Sequence, residues 1–148
     1  LFLQGRNLRM LCLSGHGETT MLPDWHKQCE PFLEKFPCSI TSNFSKLFTT
    51  DELMTLVELE SINISVDCAD EVLLRSIRRK VSLQTILRNI QNLRETAKAH
   101  HIRPPKLVFY SGVYDKNVFV LEDLADLAIA RLNRTRSGWR RTLLSRRA

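Results

Sequence analysis

The sequence predicts an α/β fold with parallel strands, because two kinds of segment alternate along the chain. Four short apolar or β-branched stretches begin near residues 9, 38, 61 and 106. A stretch with apolar side chains at helical spacing follows each of them, which gives the order βαβαβαβα. A connection that contains a helix is long enough to return the next strand parallel to the previous one. We therefore expect a parallel sheet covered by helices.

The first predicted strand ends in a glycine-bearing loop. Residues 10–13 are Met-Leu-Cys-Leu, an apolar run typical of a strand that is buried on both faces. Gly15 and Gly17 follow, and a residue without a Cβ lets the backbone turn sharply and approach a ligand. Glu18 would then lie at the carboxyl edge of the sheet, where ligands of α/β proteins bind. Its carboxylate suits an ammonium group, but a solvated loop acid explains this stretch equally well.

Proline and capping signals set the bounds of the next elements. Residues 24–35 have apolar side chains at helical spacing, and Pro37 ends this helix because proline cannot continue the hydrogen-bond ladder. Thr49 and Glu52 have the spacing of a capping box, so we expect a helix over about 50–58. The predicted core face of that helix comprises Leu53, Leu56, Val57 and Leu59.

From residue 61 onwards the sequence predicts two strands and three helices, of which the helix that begins at Leu83 has the longest periodic pattern. From Leu83 onwards apolar residues recur every three or four positions, and Ser82 is a suitable N-cap, so a long helix begins there. Residues 61–66 alternate with β-branched side chains and predict a strand, with Asp67 at its carboxyl end. The remaining predicted elements are a short helix around 70–79, a strand over 106–110 and a helix over 121–132 with Leu124, Ala128 and Ile129 on one side.

Size, composition and cysteine spacing exclude several classes of protein. The 148 residues are enough for one domain, and the 43% hydrophobic and 26% charged content is typical of a soluble globular protein. Neither a membrane span nor a secretory signal is visible, so we expect a cytoplasmic location. The chain begins with Leu1 and its first methionine is Met10, so we expect a segment of a longer protein or a processed chain. The cysteine spacing matches no zinc site, so we expect reduced, mostly buried thiols at Cys12, Cys29, Cys38 and Cys68.

The positive charge of the chain is confined to its last residues. Residues 131–148 contain seven arginines and no acid. Removing those seven from the 22 lysines and arginines leaves 15 basic residues against 16 acidic ones in residues 1–130. The basic tail, with Trp139, would suit phosphate groups, but a disordered surface or an out-of-frame extension explains it better. We do not expect a nucleic acid as the partner.

Polar residues stand at the carboxyl ends of all four predicted strands, at positions 14–18, 41–43, 65–67 and 111–117. In this order and spacing they resemble the core of the radical S-adenosylmethionine (radical SAM) superfamily. The resemblance covers its second to fifth strands over roughly residues 8–130. The glycine loop is similar to the Gly-x-Gly-Glu loop of the family, Thr41-Ser42-Asn43 to its Thr-Thr-Asn-Gly ending, and Ser65-Val66-Asp67 to its Ser-Ile-Asp ending. Asn117 before the last helix resembles the opening of the fifth helix of the family.

The resemblance implies a partial (β/α) TIM-like barrel, incomplete at both ends, with residues 1–130 as the core domain and 131–148 as the tail. It also implies that the loop of Gly15, His16, Gly17 and Glu18 holds the amino group of SAM. The residues implied on the ribose side of the cofactor are Asn43, Ser65 and Asp67. The chain departs from the family pattern in having His16 where glycine is common, Thr19 in place of proline and Phe44 in place of glycine.

The resemblance also implies a 4Fe–4S cluster in the complete parent protein. The C-x-x-x-C-x-x-C motif that binds this cluster in the family lies upstream of the glycine loop, and the sequence contains no such spacing. We therefore expect this chain to be inactive alone, with its substrate and catalytic residues unassigned. The alternative is a non-catalytic α/β binding module whose basic tail contacts nucleic acid or an acidic partner. In either case open sheet edges would favour self-association.

Overall fold

A computed structural model describes residues 8–132, which form one four-stranded parallel sheet and five α-helices. The strands are β1 (Leu11–Cys12), β2 (Cys38–Ser42), β3 (Ser61–Ser65) and β4 (Lys106–Tyr110). The helices are α1 (Trp25–Leu33), α2 (Thr50–Val57), α3 (Glu71–Ile77), α4 (Leu83–Ala99) and α5 (Leu121–Leu132). Short 3-10 turns at Thr19–Met21 and Val118–Val120 precede α1 and α5. The predicted α/β class with parallel strands is thus confirmed.

The strands lie in the sheet in the order of the chain, β1-β2-β3-β4, and every pair is parallel. Each connection therefore moves one strand further in the same direction. Since parallel crossovers are almost always right-handed, this order places the connecting helices on one face of the sheet. The helices pack accordingly, α1 on α2, and both α2 and α3 on α4. The Arg94 guanidinium of α4 donates to the carbonyl of Leu132 at 3.1 Å, which joins α4 to the end of α5.

The two faces of the sheet differ in chemistry. Residues in register point to the same side, and Ile40, Ile62 and Leu107 are in register across β2, β3 and β4. Together with Ile64 and Phe109 they pack against the helices in the hydrophobic core. The opposite face, here called the polar face, carries half-buried polar side chains at Thr41, Ser61, Asn63 and Ser65. An amide N–H of Asn63 donates to the Thr41 hydroxyl at 3.4 Å on this face.

Local signals set the predicted helix ends correctly where a side chain caps the backbone. Thr49 and Glu52 form the predicted capping box of α2, since the Thr49 hydroxyl accepts from the Glu52 N–H and the Glu52 carboxylate accepts from the Thr49 N–H. Ser82 caps α4 by accepting from the Thr85 N–H at 3.4 Å. The predicted core face of α2 is buried at Leu53, Leu56, Val57 and Leu59.

Three details of the sequence prediction are wrong. β1 is an edge strand of two residues, with Leu11 half-buried and Cys12 exposed, so it is not buried on both faces. α1 spans Trp25–Leu33 rather than 24–35, and residues 34–36 form a turn in which the Lys35 and Phe36 N–H groups both donate to the Phe32 carbonyl. Ile129 of α5 is 61% exposed, and Leu127 packs against the core instead.

The predicted basic tail lies almost entirely outside the described residues. α5 takes its first two positions, Arg131 and Leu132, and residues 133–148 are not described. Among residues 8–132, no helix is both long enough and apolar enough to cross a lipid bilayer.

A buried carboxylate joins α1, α2 and the loop before α2. Glu52 Oε1 accepts from the Trp25 indole N–H at 2.7 Å and from the Lys46 ammonium at 2.6 Å, while Oε2 accepts from the Thr49 N–H at 3.0 Å. Burial raises the pKa of Glu52, but the hydrogen bonds from Lys46, Thr49 and Trp25 outweigh it, so the net pKa lies below the usual 4.5. The ionised form of Glu52 therefore stabilises the folded state.

We expect Glu52 to contribute to acid unfolding. Its folded-state pKa is lowered, so its stabilising contribution is complete above the ordinary value of 4.5 and is lost as the pH falls below it. The variant Glu52→Gln should be less stable at neutral pH by about 1–3 kcal/mol, since a buried donor loses its charged partner. Its stability should also fall less steeply than that of the wild type between about pH 5 and pH 3. Urea unfolding midpoints at a series of pH values measure both effects, and parallel pH profiles would contradict the assignment.

The outer edge of β4 should promote self-association, because among the described strands only β3 pairs with it. Tyr110 at the end of β4 is 64% exposed. Sedimentation velocity should detect concentration-dependent oligomers, and Tyr110→Lys should reduce them because a charge on an edge opposes strand pairing. Val72→Lys on α3 replaces an apolar residue that is 79% exposed and lies away from the edge, and it serves as the control. A chain that stays monomeric at every concentration would contradict this expectation.

Candidate functional site

The Glu18 carboxylate is bound to the carboxyl end of the neighbouring strand, β2. Its Oε2 accepts from the backbone N–H of Asn43 at 2.7 Å, and its Oε1 accepts from the Thr20 hydroxyl at 2.8 Å. Glu18 is half-buried, and a carboxylate has about four acceptor positions, of which these two bonds use two. The carboxylate is thus fixed in orientation while still able to accept further hydrogen bonds.

A continuous chain of hydrogen bonds leads from the backbone of Phe44 to Glu18. The Phe44 N–H donates to Ser42 Oγ at 3.1 Å, and Ser42 Oγ lies 3.1 Å from Thr20 Oγ1. Because the Thr20 hydroxyl has one hydrogen, which it donates to Glu18, the Ser42 hydroxyl is the donor in the bond between the two hydroxyls. The backbone N–H groups of two consecutive residues are therefore both connected to Glu18. The Asn43 N–H donates to it directly, and the Phe44 N–H is connected to it through the buried hydroxyls of Ser42 and Thr20.

Phe44 has a left-handed backbone, with a φ of 50°. This conformation is uncommon for a residue with a side chain, and glycine adopts it most easily. The ring is fully buried and packs edge-on against Phe48, with ring centroids 4.9 Å apart. Burial of the ring therefore offsets the conformational cost of the position.

The glycine loop itself is exposed, and only one of its glycines has a backbone that favours glycine. Gly17 has a φ of 96°, a value that residues with a side chain rarely adopt. A Cβ would find open space at both Gly15 and Gly17, so only the backbone conformation of Gly17 favours glycine. His16 between them is exposed. At the start of the loop the Ser14 hydroxyl accepts from the Thr41 N–H at 2.8 Å, which joins the loop to β2 a second time.

Asp67 is fully buried, and its carboxylate already has three donors. The Arg78 guanidinium binds both carboxylate oxygens, and the Gly112 N–H donates to Oδ1 at 3.0 Å. Asn117, also fully buried, donates its amide to the carbonyls of Asp67 and Gly112, each at 2.8 Å. Asp67 and Asn117 thus fasten the end of β3 to the loop after β4. A contact of Asp67 with a cofactor ribose stays a prediction.

An open cavity of about 680 Å³ lies beside this ion pair, and Arg78, Tyr114 and Lys116 line it together with Asp67. The other large groove, of about 900 Å³, lies at the opposite edge of the sheet around Pro104. The first cavity therefore lies beyond the carboxyl ends of β3 and β4, and of the predicted site residues only Asp67 lines it. Ser65, in register with Tyr110 and half-buried on the polar face, ends β3 at this edge.

The structure brings Glu18 and Asn43 into direct contact, which the sequence did not predict. The Asn43 side chain accepts from the Ser45 N–H at 2.9 Å and so shapes its own turn, while its backbone N–H binds Glu18. Thr20, Arg78 and Asn89 were not predicted from the sequence. Of these, Asn89 carried a signal, since it is an amide at a core position of the amphipathic helix α4.

Comparisons with known proteins found no counterpart for this chain. No family model matches it, and no curated protein and no solved structure matches it either. Among residues 8–132 there is also no group of three or more histidine, cysteine, aspartate or glutamate side chains that could hold a metal ion. The four cysteines are free, with Cys29, Cys38 and Cys68 buried.

Alanine should be tolerated differently at the two loop glycines. Gly17→Ala places a Cβ on a backbone with a φ of 96°, so the variant should lose about 1–3 kcal/mol of stability or shift the loop. Gly15→Ala meets neither positive φ nor a steric neighbour and should change the free energy of unfolding by less than about 0.5 kcal/mol. Urea denaturation of both variants measures the difference. Equal losses at the two positions would show that the loop backbone differs from the one described.

Proposed function

We propose that this chain is part of a radical SAM enzyme and that Glu18 holds the amino group of SAM. The observation that carries the proposal is the fixed Glu18 carboxylate at the carboxyl edge of a parallel sheet, next to the turn at Gly17. A half-buried carboxylate with unused acceptor positions is a suitable partner for an ammonium group, which has three donors. Hydrogen bonds to a charged group are the stronger ones, so this contact would both bind and orient the ligand.

The geometry of the loop after β2 supports the same proposal. The family pattern has glycine where this chain has Phe44, and the left-handed φ of 50° is the conformation that glycine adopts freely. The backbone conformation at Phe44 therefore agrees with the family pattern, although the residue type does not. The directions of the Asn43 and Phe44 N–H groups depend on this turn, and these are the groups hydrogen-bonded to Glu18, directly or through Ser42 and Thr20.

The arrangement of the sheet supports a partial TIM-like barrel as the finer fold. In a (β/α) barrel, strands follow one another in chain order and the helices form the outer ring. The order β1-β2-β3-β4 with helices on one face corresponds to an arc of such a barrel. The polar face would then be the inner one. Closed barrels fill their interior with bulky branched side chains, so an inner face of hydroxyl and amide groups suits an open interior that admits a ligand.

The described residues fit the two cofactors of the family unequally. Glu18, supported by Thr20 and Asn43, fits the ammonium of SAM, and Ser65 ends β3 at the same edge of the sheet. The iron–sulfur cluster finds no ligand group among residues 8–132, and the resemblance assigns its cysteines to a motif upstream of the glycine loop. In the complete parent, SAM and the cluster would together supply hydrogen abstraction from a substrate.

The test is the affinity of the full chain for SAM, measured by isothermal titration calorimetry. Glu18→Gln keeps the shape of the side chain but removes the charge, so affinity should fall by about tenfold or more, the equivalent of a hydrogen bond to a charged group. Glu58→Gln is the matched control, because Glu58 is exposed and lies after α2 at the opposite edge of the sheet. It should leave the affinity unchanged.

The same experiment separates the proposal from its alternative. For a non-catalytic binding module with a basic tail, the wild type would not bind SAM, or Glu18→Gln would bind it as tightly as the wild type. Either result would overturn the assignment of Glu18. Of the tail on which that alternative rests, residues 133–148 lie beyond the described residues.

A further inference from the structure

Asn89 is a buried polar side chain on α4 with all of its hydrogen-bonding groups directed at one loop. Its amide nitrogen donates to the carbonyls of Phe44 at 3.2 Å and Lys46 at 2.6 Å, and its oxygen accepts from the Phe48 N–H at 3.3 Å. The side chain is fully buried. One residue of a long helix therefore holds three backbone groups of residues 43–48, the segment between β2 and α2.

The contacts of Asn89 meet those of Glu18 at Phe44. The Phe44 N–H is held by Ser42 and the Phe44 carbonyl by Asn89, so both of its peptide groups are fixed. The Asn43 N–H, which points at Glu18, belongs to the peptide group immediately before these two, so the contacts of Ser42 and Asn89 restrain the turn through which Asn43 meets Glu18. A free loop would have to keep a left-handed phenylalanine without these bonds, which is an unfavourable conformation.

We propose that Asn89 is a positioning residue for Glu18, acting through residues 43–48 and touching neither Glu18 nor a ligand. The inference rests on the proposed function only for its consequence in ligand binding, since the hydrogen bonds themselves do not depend on it. Loss of the Asn89 amide frees the Phe44 carbonyl, the turn relaxes, and the Asn43 N–H leaves the direction that fixes the Glu18 carboxylate. An ammonium ligand then meets an acid whose orientation is no longer set.

The first arm of the test needs no ligand. In Asn89→Ala, amide hydrogen exchange measured by NMR should accelerate at least tenfold for Asn43, whose own acceptor, Glu18, is unchanged by the substitution. The reference amide is that of Val66, which donates to the Tyr110 carbonyl at 3.0 Å away from the loop. Leu93→Ala is the control for general destabilisation, because Leu93 is a fully buried residue of the same helix that lines the groove at the opposite edge. It should accelerate the Asn43 and Val66 amides in the same proportion.

The second arm is the affinity of the same variants for SAM, at a temperature where circular dichroism shows each of them folded. Asn89→Ala should bind at least tenfold more weakly than the wild type, and Leu93→Ala less than twofold more weakly. If Asn89→Ala fails to fold, Asn89→Leu takes its place, since leucine has the same branching at Cγ, fills the site and brings neither a donor nor a charge.

The two arms distinguish failure of the positioning role from failure of the proposed function. An Asn43 amide that stays protected in the Asn89 variant overturns the positioning role, whatever the ligand result. A selective loss of protection in a chain whose wild type does not bind SAM supports the positioning of Glu18 and overturns the proposed function instead. Lost protection with unchanged SAM affinity would overturn the claim that this positioning matters for binding.

Discussion

The hydrogen bond between the Glu18 carboxylate and the backbone of Asn43 is the contact on which the arrangement of the carboxyl edge depends. β1 has only two residues, so its pairing with β2 alone would place the glycine loop loosely. Glu18 joins the two strand ends directly, and two further contacts join them, one between Thr20 and Ser42 and one between Ser14 and Thr41. Hydrogen bonds to a charged acceptor are stronger than hydrogen bonds between neutral groups. The contacts of Glu18 therefore hold the loop in one conformation, which its exposed glycines alone would not do.

The order at this edge is built from the core outwards. The long helix α4 forms because its apolar face packs in the core, and Asn89 lies on that face among Ile86, Ile90 and Leu93. A polar group in such a place is favourable only when every donor and acceptor has a partner, and residues 43–48 provide those partners. Glu52 holds the far end of the same segment through Lys46 and Thr49. The segment is therefore fixed by two buried polar side chains from two different helices.

Signals that act within a few residues of one another made the elements predictable from the sequence. The capping box at Thr49 and the periodicity of α4 depend on local backbone geometry, so both were assigned correctly. The position of Glu18 after β1 was predictable for the same reason, since a glycine turn after a strand is a local pattern. The role of Asn43 could not be foreseen in detail, because the group that binds Glu18 is a backbone N–H that every residue except proline has. Arg78 acts across the fold, and the exposure of β1 depends on its position at the edge of the sheet, so these two features have no local signature. The sequence marks Asn89 only as an amide at a core position of α4, and the loop that it binds lies more than 40 residues away in the chain.

The edge position of β1 also gives the protein a natural labelling site. Cys12 is the one exposed thiol of the four, while burial raises the pKa of the Cys29, Cys38 and Cys68 thiols and keeps them in the unreactive protonated form. A maleimide reagent would therefore modify Cys12 selectively in the native chain, without removal of the other cysteines. Since Cys12 lies only six positions before Glu18, a fluorophore attached there would report on the environment of the glycine loop as ligands are added.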